Sequence, residues 1–431
     1  MPVKWTFVAA VMLGMPLSLS VAKAQDSSPA VVLEWNEVLR GWPAVSPGVL
    51  PQAIGGPLQG RTYAMVHIAM FDAANSIARA YTPFHVSVAA SSGASLEAAA
   101  AQAAHDVMTG LFGQQASFDA TLSARLATIA PGRRSQGIAV GQAVAARVLA
   151  WRADDGSADV GPVYAPPLVA GQWQPTVPGA NATLTQTPDA TPFAIVSTTQ
   201  FLPPRHPEIN STHYAADFNE VKEVGAVDSA TRTPYQTETA LLWAGTPTLT
   251  STNLFHVWNG VMRDTVMMPT QQLSLLEAAR SFALMNASMY DGILTSMTGK
   301  LVYGLWRQWD AIRRAADDLN PATDPDPTWS PLLATPPYPT YPGNMACLGA
   351  AAARSLQLVA DTDTADLSVT WRGVPPYADF TREYDGYWQL AQEEADSRIY
   401  GGIHFRFDNV ASQAQCAKVA EWVAGRVKPR R

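Results

Sequence analysis

The sequence predicts a mainly α-helical protein, and three observations carry that reading. Alanine-rich runs with apolar residues at helical spacing recur along the chain, and Leu275, Ala278, Phe282, Met285, Met289 and Ile293 mark one such stripe. Long period-two alternation is scarce. Hydrophobic residues make up 47% and charged residues 15% of the 431, enough for one large domain or two packed lobes.

The elements follow in order. Residues 31–42, VVLEWNEVLRGW, open with a helical pattern, and helices are expected over 61–81, 95–111, 117–129 and 137–152. Asp154-Asp155-Gly156 closes this first set, which defines an N-terminal lobe over 25–156. Composition then shifts: Pro162, Pro166, Pro167, Pro175 and Pro178 break up the segment 157–210, while Trp173, Phe193, Ile195 and Phe201 anchor it. This long connection is read as a cover for a site or as a contact surface in a homodimer. A C-terminal lobe fills 211–431, with helices at 213–224, 237–244, 251–262, 271–297 and 300–316, the last two parted by a Thr-Gly break. A Pro-rich loop spans 320–341, followed by helices from about 344 to 359, 379 to 397 and 411 to 426.

Charge and targeting narrow the function. The net charge of −7 argues against a general nucleic-acid binder. Lys4, the apolar run Phe7 to Val21 and Ala22-Lys23-Ala24 read as an export signal over 1–24, cleaved before Gln25. No later run is apolar enough for a membrane span, so the mature protein is expected to be periplasmic or extracellular. Cys347 and Cys416 either form one disulfide or lie as two buried thiols.

Positive groups gather in the C-terminal half. Lys300 and Arg307, seven residues apart, share a face if the segment is one helix. Arg398 precedes His404 by six residues, and Gly401-Gly402 between them would let the backbone approach a ligand. Asp408, four residues after His404, is placed to bond one imidazole nitrogen and fix the role of the other. The turn Pro342-Gly343-Asn344-Met345 opens a helix whose N-terminal amides favour anions. Singly, each has a plain structural explanation: a solvated helix face, a surface ion pair, a core histidine. Their order and spacing together favour one shared anion.

These segments resemble the signature blocks of the vanadium-dependent haloperoxidase and PAP2-type acid phosphatase superfamily, KxxxxxxRP, PSGH and SRxxxxxHxxxD. The chain carries KLVYGLWRQ at 300–308, with Gln308 where Pro is usual, PPYPTYPGNM at 336–345 and SRIYGGIHFRFD at 397–408. VVLEWNEV, AMVHIAMFDAAN and HYAADFNEVKEVG resemble its secreted bacterial haloperoxidase-like branch. The resemblance implies two helix bundles, with an oxyanion site in the second. It further implies that Lys300, Arg307, Arg398 and the amides of Gly343 and Asn344 hold vanadate or phosphate. His404 would bind vanadium, or attack phosphorus in a phosphatase, and Asp408 would orient it.

The second block departs from the family. Gly343 stands for Ser, Asn344 for Gly and Met345 for the His that serves as acid–base group. Methionine can neither give nor take a proton, a loss commonly worth about 10²–10⁴ in rate. The other histidines are His67, His85, His105, His206, His213 and His256, and His206 in FLPPRHPEI is the candidate substitute. Trp306, Trp309 and Tyr341 either wall the pocket or pack in the core. The implied function is an exported vanadate-dependent peroxidase using hydrogen peroxide on halide or a small organic substrate. The alternatives are a phosphatase working through phospho-His404 and a non-redox descendant that only binds an oxyanion.

Overall fold

The structure is a computed structural model that describes residues 28–41, 57–244, 254–372, 376 and 379–430. The expected export signal lies outside these residues. Thirteen α-helices and one two-stranded sheet are found among them, so the mainly helical expectation holds. The first helices are α1 (Ala30–Gly41), α2 (Pro57–Ala78), α3 (Leu96–Phe112), α4 (Ala116–Ala127) and α5 (Pro131–Trp151). Then come α6 (Thr212–Val224), α7 (Pro234–Ala244), α8 (Leu254–Met267), α9 (Leu275–Tyr303) and α10 (Gln308–Arg313). The chain closes with α11 (Asn344–Ala360), β1 (Thr364–Arg372), β2 (Asp379–Gly386), α12 (Tyr387–Tyr400) and α13 (Arg406–Arg426).

Two long helices organise the core. In α2, Met65, Ile68, Ala69, Phe71 and Ala73 are all buried, and α2 packs on α9 as well as on α3 and α5. Helix α9 is buried from Leu275 to Lys300 except at Glu277 and Arg280, with α11 and α13 against it. Ser274 starts α9 with a capping box: its hydroxyl accepts from the Glu277 amide, and the Glu277 carboxylate accepts from the Ser274 amide. Each central helix holds a remote segment through one buried aspartate. Asp72 accepts the amides of Phe84, His85 and Val86, and Asp291 accepts those of Phe193, Ala194 and Ile195. The second set ties the irregular segment after α5 to the middle of α9.

Two sequence expectations change here. The Thr298-Gly299 pair does not break a helix; α9 runs through it and ends at Gly304, whose φ of 63° is left-handed. Arg307 therefore caps the start of α10 instead of sharing a helix face with Lys300. The stretch from 379 begins as a strand: β2 pairs antiparallel with β1, Leu367 opposite Tyr384 and Trp371 opposite Phe380. This hairpin stands on α7 and α12. Arg382 donates to Thr239 Oγ1 at 2.7 Å and lies 2.9 Å from Glu393, while Trp371 meets Trp243 edge-on.

Cys347 and Cys416 form a disulfide. It joins the first turn of α11 to α13, the helix that carries Asp408 in its first turn. No helix among the described residues is long and apolar enough to cross a membrane.

Candidate oxyanion site

Four turns of chain meet at one buried point. Lys300 ends α9, Arg307 opens α10, Arg398 sits in the last turn of α12, and His404 lies in the short link from α12 to α13. All four side chains and Asp408 are buried. His404 Nε2 lies 3.4 Å from Arg307 Nη1, and the Tyr338 ring lies 5.4 Å from Lys300 Nζ and 4.9 Å from the Arg307 guanidinium carbon.

His404 is held by its other nitrogen. Nδ1 donates to Asp408 Oδ2 at 2.8 Å, and the same oxygen accepts from Thr340 Oγ1 at 2.6 Å and from the Phe405 amide at 3.1 Å. Burial pushes the imidazole well below its ordinary pKa, and Lys300, Arg307 and Arg398 push it the same way. The ring is thus neutral at pH 7. With its proton on Nδ1, it presents the Nε2 lone pair to the side where the cations lie. Burial raises Asp408 to about 6, with Thr340 and Lys300 acting against it.

The cations are partly committed. Lys300 Nζ donates to the carbonyls of Thr340 and Pro342, so it braces the Pro-Gly-Asn turn as well as charging the pocket. Burial drives its pKa well below the usual lysine range, and Arg307 adds to this. Arg307 donates to the carbonyls of Tyr338 at 2.6 Å and Ile403 at 2.8 Å, but its Nη2 is buried with no partner among the described residues. Arg398 reaches Ser397 Oγ at 3.0 Å and the Ala240 carbonyl at 3.4 Å. Burial lowers both guanidinium groups to about 10, so each stays charged at pH 7. An unpartnered buried donor amid converging cations suits a small oxyanion such as vanadate or phosphate.

The turn differs from its expectation. The Gly343 amide is already given to the Asp408 carbonyl at 3.1 Å. The Asn344 side chain accepts from Ser296 Oγ at 2.8 Å and faces the Met297 sulfur at 3.0 Å. Met345 is half-buried against the main hydrophobic core. The Gly401-Gly402 pair serves packing: a Cβ on Gly402, where φ is 75°, would lie 2.4 Å from the Gly225 carbonyl oxygen and 2.8 Å from Pro331.

Residues 280–430, which contain Lys300, Arg307, Arg398, His404 and Asp408, match a family model described as the second helical-bundle domain of VCPO. The vanadium chloroperoxidase of Curvularia inaequalis is 24% identical over 245 residues, 44% of this chain and 38% of that protein. The chain thus matches well under half the length of this curated relative. A bacterial vanadium-dependent iodoperoxidase superposes with a TM-score of 0.73 at 21% identity, covering 93% of this chain and 96% of that one. The holo form of a bacterial vanadium-dependent chloroperoxidase gives 0.70 at 16% identity, covering 93% and 98%. Residues 280–430 thus resemble the second bundle of that family, and the chain has the fold of bacterial vanadium-dependent haloperoxidases.

Within this fold, no second histidine hydrogen-bonds to His404 among the described residues. His206 bonds the Pro207 carbonyl and packs edge-on against Tyr341, at 5.6 Å between ring centres. His67 sits in the core beside Asn286, His105 bridges Asp106 and Asp119, and His256 pairs with Arg40. His85 stacks on Trp151, and His213 is largely exposed. Trp306 is a core residue whose indole donates to Tyr214, Trp309 carries the Arg313 guanidinium on its face, and the buried Tyr341 donates to the Pro204 carbonyl.

Sequence reasoning missed Tyr338, Thr340 and the part played by Gln308. Gln308 reaches the histidine link: with its amide oriented to satisfy both ends, its nitrogen donates to the Ile403 carbonyl at 2.8 Å and its oxygen accepts at 2.9 Å from the Phe405 amide, which it shares with Asp408 Oδ2. The signal for Tyr338 and Thr340 was their place inside the block 336–345.

Proposed function

We propose that this chain is an exported, vanadate-dependent peroxidase-like protein whose proton relay is impaired. The observation that supports it best is the convergence of Lys300, Arg307 and Arg398 around the Asp408-steered His404. Lys300, Arg307 and Arg398 would hold the anion's oxygens, and His404 Nε2 would meet its central atom. Vanadate bound there would supply activation of hydrogen peroxide toward a halide or a small organic substrate. The protein's own part is electrostatic and positional: the cations offset the anion's charge in a water-poor pocket, and Asp408 with Thr340 keeps the histidine proton on Nδ1. Met345 leaves no proton donor at the position where the family has its acid–base histidine, which favours a second reading in which the pocket binds an oxyanion with little turnover.

The test is anion titration followed by assay. Orthovanadate or phosphate should bind the wild-type protein, and Lys300→Ala and Arg398→Ala should each weaken binding by roughly tenfold or more. Bromide oxidation by peroxide should be weak in the vanadate-loaded wild type. Unchanged binding in both variants would refute the pocket.

A further inference from the structure

Beside the cradle lies a carboxyl that the assignment above leaves unused. Glu394 is on α12, one helical turn before Arg398, and is fully buried. Its Oε2 accepts from the Trp258 indole of α8 at 2.8 Å, and its Oε1 has no hydrogen-bond partner among the described residues. Space for it is made by α11: a Cβ on Gly349 would lie 2.5 Å from Glu394 Oε2. The chain thus keeps an acid where burial is costly and half of its hydrogen-bonding capacity is unmet.

The charges around it are few. Trp258 from α8 and Gly349 from α11 bring none, and the charge that acts on Glu394 is Arg398 on its own helix. Glu393, next in sequence, is engaged elsewhere, accepting from Tyr235, Trp243 and Tyr384 and pairing with Arg382. Beyond Arg398 lie Tyr338 and the cradle groups Lys300, Arg307 and His404, with Asp408 behind the histidine. No ion pair within 4.0 Å joins Glu394 to Arg398 in this structure. Burial pushes the Glu394 carboxyl up to about 8, with the Trp258 bond and Arg398 acting against it.

We propose that Glu394 is a positioning residue for the oxyanion cradle: as a carboxylate it claims Arg398, and as a carboxylic acid it leaves Arg398 to the anion. This rests on the oxyanion reading given above. A carboxylate and a bound anion compete for one guanidinium, so each disfavours the other. The coupling is reciprocal: a proton on Glu394 tightens anion binding, and anion binding draws a proton onto Glu394.

Tungstate is a suitable probe, a tetrahedral dianion whose charge is constant over the useful pH range. Its affinity is measured by calorimetry from about pH 6.5 to about pH 9.5 in wild type, in Glu394→Gln, which keeps an acceptor for Trp258, and in Arg398→Ala. Alkaline titration of Lys300 weakens binding in wild type and Glu394→Gln alike, so it cancels in the comparison. Across this range wild type should lose about tenfold more affinity than Glu394→Gln. Near pH 8, buffers of different ionisation enthalpy should show proton uptake on binding in wild type and less in the variant. Equal pH dependence and equal uptake would overturn the role of Glu394 while leaving the oxyanion site standing. Failure of wild type to bind tungstate at about pH 6.5 would remove both. An infrared difference spectrum of the unmutated protein at about pH 9 needs no variant. Tungstate should convert a carboxylate band into a carboxylic-acid band, and no such conversion would overturn the proposal.

Discussion

Under the proposed function, Met345 is the residue that limits turnover. On that reading the pocket keeps its lysine, both arginines and an oriented imidazole, yet the helix that begins at the Pro-Gly-Asn turn offers a thioether where the proposed chemistry calls for a proton carrier. Restoring that carrier tests whether the rest is intact. Met345→His, with Gly343→Ser and Asn344→Gly if needed, should raise bromide oxidation by the vanadate-loaded protein by about 10²-fold or more, measured at constant anion occupancy. No gain would mean that the second block has been aligned wrongly. At this scale the sequence was readable where residue spacing alone sets geometry: His404 and Asp408 do meet, at 2.8 Å. It was unreadable where a donor had two suitors. Nothing in PGNM says that the Gly343 amide will go to the Asp408 carbonyl, because that carbonyl arrives from 65 residues away.

Elements explain how such distant residues are held in place. Lys300 and Arg307 come together because α9 ends in a left-handed glycine and α10 restarts, a geometry that a plain heptad spacing does not reveal. The hairpin was missed for a different reason. From Ala365 to Trp371 buried and exposed residues alternate without a break, which is the strand signature, but the segment is short and lies among helices. Helices α11 and α13 are joined by Cys347–Cys416, with a sequence separation of 69. Closing a loop of that length in the unfolded chain is worth about 4 kcal/mol on chain-entropy grounds. Replacing both cysteines with alanine should therefore lower the free energy of unfolding by a few kcal/mol, on the order of 2–5, in a denaturant titration. A negligible change would mean that the helix packing alone fixes the two ends of the site.

The whole molecule carries an unusual load of buried acids and bases, and their signs set its pH response. Burial lowers His67 and His256 to about 4 and His404 well below its ordinary value. Folded, these rings bind fewer protons than unfolded ones, so their contribution rises with pH up to about 6.5. Burial raises Asp72, Asp291, Asp310 and Asp408 to about 6, so their contribution falls with pH over the same interval and offsets the histidines. Above about 6.5 the balance ends. Glu394, raised to about 8, continues to lose stability as pH climbs, and His105, raised by its Asp106 and Asp119 partners, adds to the decline. Lys300, whose pKa burial lowers, acts the other way, so the prediction is a comparison: between about pH 6.5 and 8.5 the denaturation midpoint of the anion-free protein should drop relative to that of Glu394→Gln. Parallel curves for the two proteins would contradict this. The helical class and the family likeness were legible from composition and three short blocks. The matching roles of Asp72 and Asp291, which pin remote segments to the two central helices, were not, because their backbone partners carry no sequence mark.

The central claim is that Lys300, Arg307, Arg398 and His404 surround one tetrahedral oxyanion. A crystal structure of the protein soaked in orthovanadate measures this directly. The account predicts density for one anion bonded through its centre to His404 Nε2, with oxygens within hydrogen-bond reach of Lys300, Arg307 and Arg398. An empty pocket at saturating vanadate, or an anion seated away from His404, would contradict it.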